Sequence, residues 1–529
     1  MGVDSTKTAG VQAPETAEWQ ADPATAGTPG APEAGGGKGT GKQKRKFEFP
    51  SAFTVLAALT GIVWILTFII PSGKYQLDEN GSSIPGTYEA VTNDASFMDR
   101  VKDLFLAPIN GLYGLVTDGG HITPGGNGEL FGAASVFLFI LAIGAFITVT
   151  MRTGALDIGI ARVAHRLRNR SSLMIAVLMV IFSLGGTTYG MAEETIGFYA
   201  LLIALTLKLG YDRMVGAAII IVGSGIGVMA STVNPFATGV ASDAAGISVG
   251  DGIVLRLIMW VVLTAIGIAY VIRYAKRVKA DPKRSISGFL PEDEAIRAAA
   301  NDEVPEMSRR HKLIMWVFGA TFLVMIYSVI PWSEIGVPIP TWGWYFPELA
   351  ALFLVGSIVV GLIGKMKEKE LVDSIMAGCA DFISVALVIV LARGITVIMQ
   401  NGMITDTILN SLEGLVTGTS SGVFAVMMYA VNVPLSILVP STSGLAALGM
   451  PIFAPLADFA GVDRSLVVTA YTAACGWVNL VTPTSAVIMG GVVALGKIRY
   501  DRYVKFMLPL MGILFVASLG MVVLGAMLL

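Results

Sequence analysis

The sequence predicts an all-α polytopic membrane protein built from two inverted-topology repeats. It should carry about nine transmembrane helices and two re-entrant hairpins, or 11–13 spans if the hairpin limbs are counted. Three observations predict this. Apolar runs near 20 residues recur along the 529-residue chain, the length a helix needs to cross a bilayer core. Only 14% of residues are charged and 54% are hydrophobic, whereas soluble domains run near 25% charged. Short motifs in the first half return in the same order in the second.

The same composition excludes other classes. No basic stripe with interleaved aromatics suggests nucleic acid, and the net charge of −2 singles out no partner. Cys379 and Cys475 both fall in apolar segments and read as small hydrophobes. The three histidines have no zinc spacing, so no metal site is expected from them.

Residues 1–46 are rich in Ala, Gly, Pro, Thr and Glu and end in the basic "KQKRK". They read as a disordered cytoplasmic tail, because no apolar core precedes a cleavage site. Its "GGKGTGKQ" nearly matches a phosphate-binding loop but has Gln43 where Ser or Thr is needed, and no strand precedes it. The first span, "FPSAFTVLAALTGIVWILTFII", follows. Basic residues beside a first span hold that side in the cytoplasm. The loop 71–130 carries only Lys74, Arg100 and Lys102 as Lys or Arg and falls outside. After "AASVFLFILAIGAFITVTM" come Arg152, Arg162, Arg166, Arg168 and Arg170, an inner segment.

Further spans are 214–242, 251–273, 312–330, 346–364, 379–399, 465–495 and 504–528. Residues 276–284 and 497–502 are basic and fall inside; 332–345 and 401–420 lack Lys and Arg and fall outside. The N-terminus is then cytoplasmic and the C-terminus outside, with the cell membrane as the location. Between 171 and 209 two apolar limbs flank "GGTTYGMAEE". The left limb, 171–184, makes roughly 21 Å of helix against a core of about 30 Å. A hairpin entering and leaving from inside fits best; two complete spans with an outer turn are the alternative. Irregular backbone at that depth must be buried in protein or line a wet cavity.

The repeat is explicit. "ITVTMRTG" at 147–154 returns as "ITVIMQNG" at 395–402, "GYDR" at 210–213 as "GVDR" at 461–464, and "VNPFA" at 233–237 as "VTPTS" at 481–485. The offsets are 248, 251 and 248. The topology runs the copies in opposite directions, which makes Arg464 the mirrored partner of Arg213. The expected organisation is a tail (1–46), repeat one (47–274), a cytoplasmic loop with a connecting span and an outer loop (275–345), and repeat two (346–529).

Inverted repeats with broken helices are the architecture of secondary transporters, whose ligands bind near the midplane at the breaks. In copy one the breaks are the tip at 185–194 and "GSGIGVMASTVNPFATG"; in copy two they are "VPSTSGLAALGMP" and "CGWVNLVTPTSA". Pro235 and Pro483 free carbonyls that can coordinate a cation. Ser441, Thr442, Ser443, Thr482, Thr484 and Ser485 add hydroxyl oxygens. Asp212 and Asp463 read as N-caps of the broken helices.

Two charges lie deep. An ionised acid at mid-bilayer costs about 2.5–3.5 kcal/mol, and a helix N-terminus recovers only about 0.3–1 kcal/mol of it. Glu193 and Glu194 therefore need water, a proton, a metal cation or a cationic ligand, unless Glu194 merely caps the second limb. Arg393 either snorkels to the outer interface, grips a substrate carboxylate or holds one of the glutamates.

"GMAEETIGFYALLIALTLKLGYDRM", "STVNPFATG", "LARGITVIMQNGMITDTIL", "LVPSTSG" and "MPIFAPLAD" resemble the YfcC group of the DcuC-like (four-carbon dicarboxylate anaerobic carrier) family, within the ion transporter superfamily. The resemblance runs from about Phe47 to the C-terminus. It implies a homodimer in the lipid bilayer with two hairpins and an elevator-like transport domain. It places the site at Thr187, Thr188, Glu193 and Glu194; Asn234 and Pro235; Ser441, Thr442 and Ser443; and Asn479, Thr482 and Thr484. Members are variously assigned as arginine/ornithine exchangers, basic amino acid carriers or dicarboxylate carriers. Leu445 stands where the group has Gln, and Cys475 where it has Asp, which removes an amide and an acid from the implied site. The expectation is a secondary carrier of a small charged metabolite, foremost a basic amino acid, with a sodium- or proton-coupled dicarboxylate carrier as the alternative. A sodium at the hairpin tips is the one metal it admits. An intramembrane enzyme or channel is remote, since no span pairs zinc-ligand histidines or a Ser with a His.

Overall fold

The computed structural model describes residues 52–78, 83–117, 120–125, 127–299, 306–333, 337–439, 441–483, 485 and 487–528. The expected tail lies outside them. Among the described residues the helices are α1 (Ala52–Leu66), α2 (Phe97–Tyr113), α3 (Ala134–Arg152), α4 (Ala155–Arg166), α5 (Ser171–Tyr189), α6 (Tyr199–Lys208), α7 (Arg213–Met229), α8 (Val240–Ala245) and α9 (Ile253–Ala280). They continue as α10 (Asp293–Ala299), α11 (Arg309–Val329), α12 (Phe346–Gly364), α13 (Glu368–Asn401), α14 (Thr405–Val416), α15 (Ser421–Leu438), α16 (Thr442–Phe459), α17 (Arg464–Asn479) and α18 (Tyr500–Leu528). Helices α3, α5, α9, α11, α12, α13, α16 and α18 are long and apolar enough to cross a membrane; α1, α7 and α15 are apolar but shorter.

The helices pack as two layers. Helix α3 lies along α12 and α13, α13 also along α1 and α2, and α11 along α12. In the second layer α7 packs on α5, α6, α9 and α17, while α15, α16 and α18 gather around α17. The layers meet where α13 crosses α16. Glycines set the closest approaches: a Cβ on Gly378 would lie 2.5 Å from the Gly144 carbonyl oxygen, and one on Gly186 would lie 2.2 Å from that of Ser224. Small residues at helix crossings serve this purpose in membranes, where close packing replaces hydrophobic drive.

The loops collect at two ends. At one, Tyr75 donates to Glu413 (2.7 Å), its amide to Asp406 (3.0 Å), and Ile122 N to Asn401 (2.8 Å). Two small antiparallel sheets lie here: β1 (Gly73–Lys74) with β2 (Glu89–Ala90), and β3 (Leu115–Val116) between β4 (Ile122–Thr123) and β5 (Glu129–Leu130). At the other end Arg213 binds Asp293 (2.6 Å) and Glu292 (2.8 Å), and Lys497 binds Glu292 (2.8 Å). Lys497 and Arg213 hold the Glu292 carboxyl below its ordinary range. The loops the sequence groups as outer lie at the first end, and the basic loops at the second.

Each broken helix starts on an aspartate cap, as expected: Asp212 accepts from Val215 N (3.1 Å) and Asp463 from Ser465 N (2.7 Å). The two breaks answer each other. Arg213, opening α7, donates to the Gly496 carbonyl beyond the second break (3.2 Å); Arg464, opening α17, donates to the Ala245 carbonyl beyond the first (2.9 Å). Gly225 faces Leu480, and Gly476 faces Met229.

Helix α5 runs five residues further than the apolar limb read from the sequence, to Tyr189. "GG" does not end it because Gly186 is used for packing against α7; the turn falls at Gly190, whose φ is +75°. Ser171, at the start of α5, accepts from Tyr211 beyond α6 (2.7 Å), so the feet of α5 and α6 stand together. Their tip lies against the break that follows α7, where Thr187 donates to the Ala230 carbonyl (2.7 Å).

Candidate functional site

Glu194 sits on a short helical turn, 193–198, between α5 and α6. An apolar limb on each side fixes it at the tip, and its carboxylate accepts from Ala192 N (3.1 Å). Across from it α16 begins. Ser441 caps that helix by accepting from Gly444 N (3.2 Å), and Thr442 Oγ1 accepts from Asn479 Nδ2 (3.2 Å). Tyr471 donates to the Thr442 carbonyl, which ties the start of α16 to α17.

A cavity of about 740 Å³ lies between the Glu194 turn and the start of α16. Glu194, Asn234, Ser441, Thr442, Ser443, Asn479 and Ser485 all line it, so the structure brings seven of the sequence's candidates together. Glu194 is the one ionisable side chain among the described lining residues. The first layer closes the cavity with Phe382, Ser384 and Val388 of α13, and Phe382 stacks on Phe236 beyond the first break (5.2 Å, 6°). Sequence reasoning missed this wall, since nothing in an unbroken apolar helix marks which face meets a site. Ser224, Gly225 and Gly476 join the lining where α7 and α17 cross.

The other candidates lie elsewhere. Thr187 is buried under the tip as a latch: its hydroxyl bonds Ala230, and its own carbonyl accepts from Thr232 Oγ1 (3.0 Å). Thr188 turns to the opposite side and lines a second crevice. Pro235 is buried in the first break behind Asn234, whose side chain accepts from Phe236 N (2.9 Å). Thr482 spends its hydroxyl on the Val478 carbonyl (2.7 Å). Thr484 and the side chain of Glu193 lie outside what the structure describes. The breaks do free carbonyls, but hydroxyls take several of them: Thr238 bonds Ser231 (2.9 Å), Tyr503 bonds Leu480 (2.6 Å) and Tyr500 bonds Val481 (2.6 Å). Among the described residues no group of three His, Cys, Asp or Glu could hold a metal ion.

Arg393 does not line the cavity. It joins the layers nearer the first end, where Nη2 pairs with Asp243 Oδ2 at 2.7 Å and the guanidinium lies 5.1 Å from the Phe131 ring centre. Among the described residues its Nε has no hydrogen-bond partner. Asp243 was not singled out by the sequence.

Residues 49–527 match the family model for the C4-dicarboxylate anaerobic carrier, DcuC. An uncharacterised protein of Haemophilus influenzae is 34% identical over 514 residues, covering 91% of this chain and 98% of that protein. An Escherichia coli protein named "Putative basic amino acid antiporter YfcC" is 30% identical over 524 residues, covering 92% and 98%. Among solved structures, Neisseria gonorrhoeae MtrF, described with a class of antimetabolite efflux pumps, superposes with a TM-score of 0.66 at 17% identity over 90% of this chain and 94% of its own. The Alcanivorax borkumensis YdaH transporter, described as having an unusual topology, gives 0.63 at 14% identity over 90% and 98%. These two likenesses concern the fold. With the matched family model spanning nearly the whole chain and its apolar helices, the protein is a multi-pass membrane transporter belonging to the C4-dicarboxylate anaerobic carrier (DcuC) family.

Proposed function

We propose that the protein is a secondary carrier of a cationic amino acid, of the arginine or ornithine type, bound between the two tips. One observation carries this reading: Glu194 is the single ionisable group among the described residues lining the cavity, and it faces the hydroxyl-rich start of α16. A carboxylate matches a cationic group, and a helix N-terminus with Ser441, Thr442 and Ser443 matches a substrate carboxylate. An amino acid presents both. The relative named as a basic amino acid antiporter agrees with this choice.

We read α5–α6 and α15–α16 as the two re-entrant hairpins of an inverted repeat. The reciprocal contacts support this reading: Arg213 with Gly496 and Arg464 with Ala245, Gly225 with Leu480 and Gly476 with Met229. Two copies related by a pseudo-two-fold axis produce such pairs. The end carrying Arg213, Lys497 and Arg284 is taken as cytoplasmic, because Lys and Arg accumulate on that side of membranes. Exchange then drives transport, with a sodium or proton gradient as the other source.

The test is flux into proteoliposomes with radiolabelled arginine, competed by ornithine, lysine, neutral amino acids and four-carbon diacids, with and without sodium and pH gradients. Arginine and ornithine should compete and diacids should not. Glu194→Gln and Glu193→Gln keep the shape and remove a charge. The first should lower arginine flux at least roughly tenfold, the worth of about 1.4 kcal/mol, with the melting temperature unchanged or raised. Full activity in both variants would remove the carboxylates from the site; competition by diacids alone would favour the dicarboxylate carrier.

A further inference from the structure

A larger cavity than the one beside Glu194 lies elsewhere among the described residues. It is a crevice of about 1560 Å³ bounded by α4, α5 and α11. Its walls are mostly apolar, with Met315, Phe318 and Phe322 of α11 facing Ile160 and Val163 of α4. At its mouth it is basic: Arg162 and Arg166 from α4 and Lys312 from α11 all border it. Leu184 and Leu323 on its rim are 42% and 65% exposed. Both stand on helices long and apolar enough to cross a membrane, so the crevice runs beside the apolar length of the molecule.

We propose that this crevice holds an anionic phospholipid, with its phosphate on Arg162, Arg166 and Lys312 and an acyl chain along α11 towards the first hairpin tip. Three features fit that occupant. Basic pockets between transmembrane helices on the cytoplasmic side bind anionic headgroups. From Lys312 to Ile326 the crevice follows α11 for roughly 21 Å, against a half-core depth of about 15 Å for one leaflet, so a full acyl chain can lie along it. The lining changes from charged to apolar along that path, as a phospholipid does from head to tail.

The crevice ends at the transport cavity's own wall. Thr188, Tyr189 and Met191 close its inner end, and Met191 borders both cavities. Tyr189 packs on Phe322 (5.6 Å) and Phe318 (6.1 Å) of α11. The lipid therefore fills the gap between the first layer and the tip, and its presence supports the tip in this position.

The experiment compares purified protein with dioleoyl phosphatidylglycerol and dioleoyl phosphatidylcholine, reading retained lipid by native mass spectrometry and stability by thermal unfolding in detergent. The wild type should retain phosphatidylglycerol preferentially and melt higher with it. The variant R162Q/R166Q/K312Q should retain at least roughly tenfold less, since each basic residue near a headgroup contributes several-fold. A control at the same end of the molecule but off the crevice, K365Q/K367Q/K369Q, should retain as much as wild type. Gly159→Leu fills the crevice without touching its charges, because among the described residues a Cβ there meets the Met315 side chain alone, at 3.7 Å; it should also lower retention. Equal loss in the control, or full retention in both crevice variants, would make the attraction a property of the whole basic surface and overturn the proposal. Equal stabilisation by inorganic phosphate would also overturn it, by assigning the basic mouth to a soluble anion.

Discussion

Arg393 and Asp243 stand 150 residues apart in the chain and 2.7 Å apart in space, on helices of different layers. They are 12% and 15% exposed, so the pair is largely removed from water. Breaking one partner of such a pair costs about 3–5 kcal/mol when fully buried, because the other charge is left alone, whereas removing both is nearly neutral. Asp243→Asn should therefore lower the melting temperature more than the double variant Asp243→Asn/Arg393→Gln. The coupling should be about 0.5–3 kcal/mol in a double-mutant cycle. Arginine affinity, measured by calorimetry, should survive Arg393→Lys; a fall would return Arg393 to the substrate carboxylate. At this scale the sequence is legible where a residue is out of place. Glu194 between two apolar limbs is such a residue. Asp243 is not, because it follows a span and resembles an ordinary loop acid. Nor can the sequence tell Thr187 from Thr188, although adjacent helical side chains point 100° apart and these two serve a latch and a crevice.

Elements were legible where their residues announce a boundary and obscure where one residue type has two uses. Asp212 and Asp463 mark helix starts and act as caps. "GG" at 185–186 reads as a turn but lets α5 pack on α7. Helices α2, α4 and α14 are too short or too polar to read as spans and look like loop in the sequence, although the "SFMD" run at 96–99 forms a capping box for α2. The crossing of α7 and α17 yields an asymmetric expectation from a symmetric contact. A Cβ at Gly476 would lie 2.3 Å from Met229 Cα, a backbone atom that cannot step aside. One at Gly225 would lie 2.4 Å from Leu480 Cδ2, the end of a flexible side chain. Gly476→Ala should therefore destabilise by about 1–3 kcal/mol and distort the cavity both residues border, while Gly225→Ala should cost less. Comparing melting temperatures and arginine flux of the two purified variants checks this; equal losses would mean that the backbones at the crossing yield freely.

For the whole molecule, the recurring apolar runs made a mostly helical, membrane-spanning protein legible, and the three recurring motifs support the proposed inverted repeat. The two layers, the wall that α13 gives the cavity and the lateral crevice were not legible, since each joins segments through faces of unbroken apolar helices. The orientation rests on charge alone, and it can be checked against the structure's two ends. Glu129 and Asn410 are exposed at the end with the small sheets and α14; Arg166 and Arg284 are exposed at the end with the basic loops. In a background with Cys379→Ala, a membrane-impermeant maleimide should label Glu129→Cys and Asn410→Cys in intact cells, and Arg166→Cys and Arg284→Cys only after the cells are opened. Cys475 is buried and should stay silent in both conditions. Two positions from one end must behave alike, whichever way the protein is inserted, because the fold joins them: Tyr75 and Glu413 at one end, Arg213 and Gly496 at the other. Labelling of all four from outside would contradict the fold itself. Labelling of Arg166→Cys and Arg284→Cys alone would keep the fold and reverse the orientation, placing Arg162, Arg166 and Lys312 in the outer leaflet.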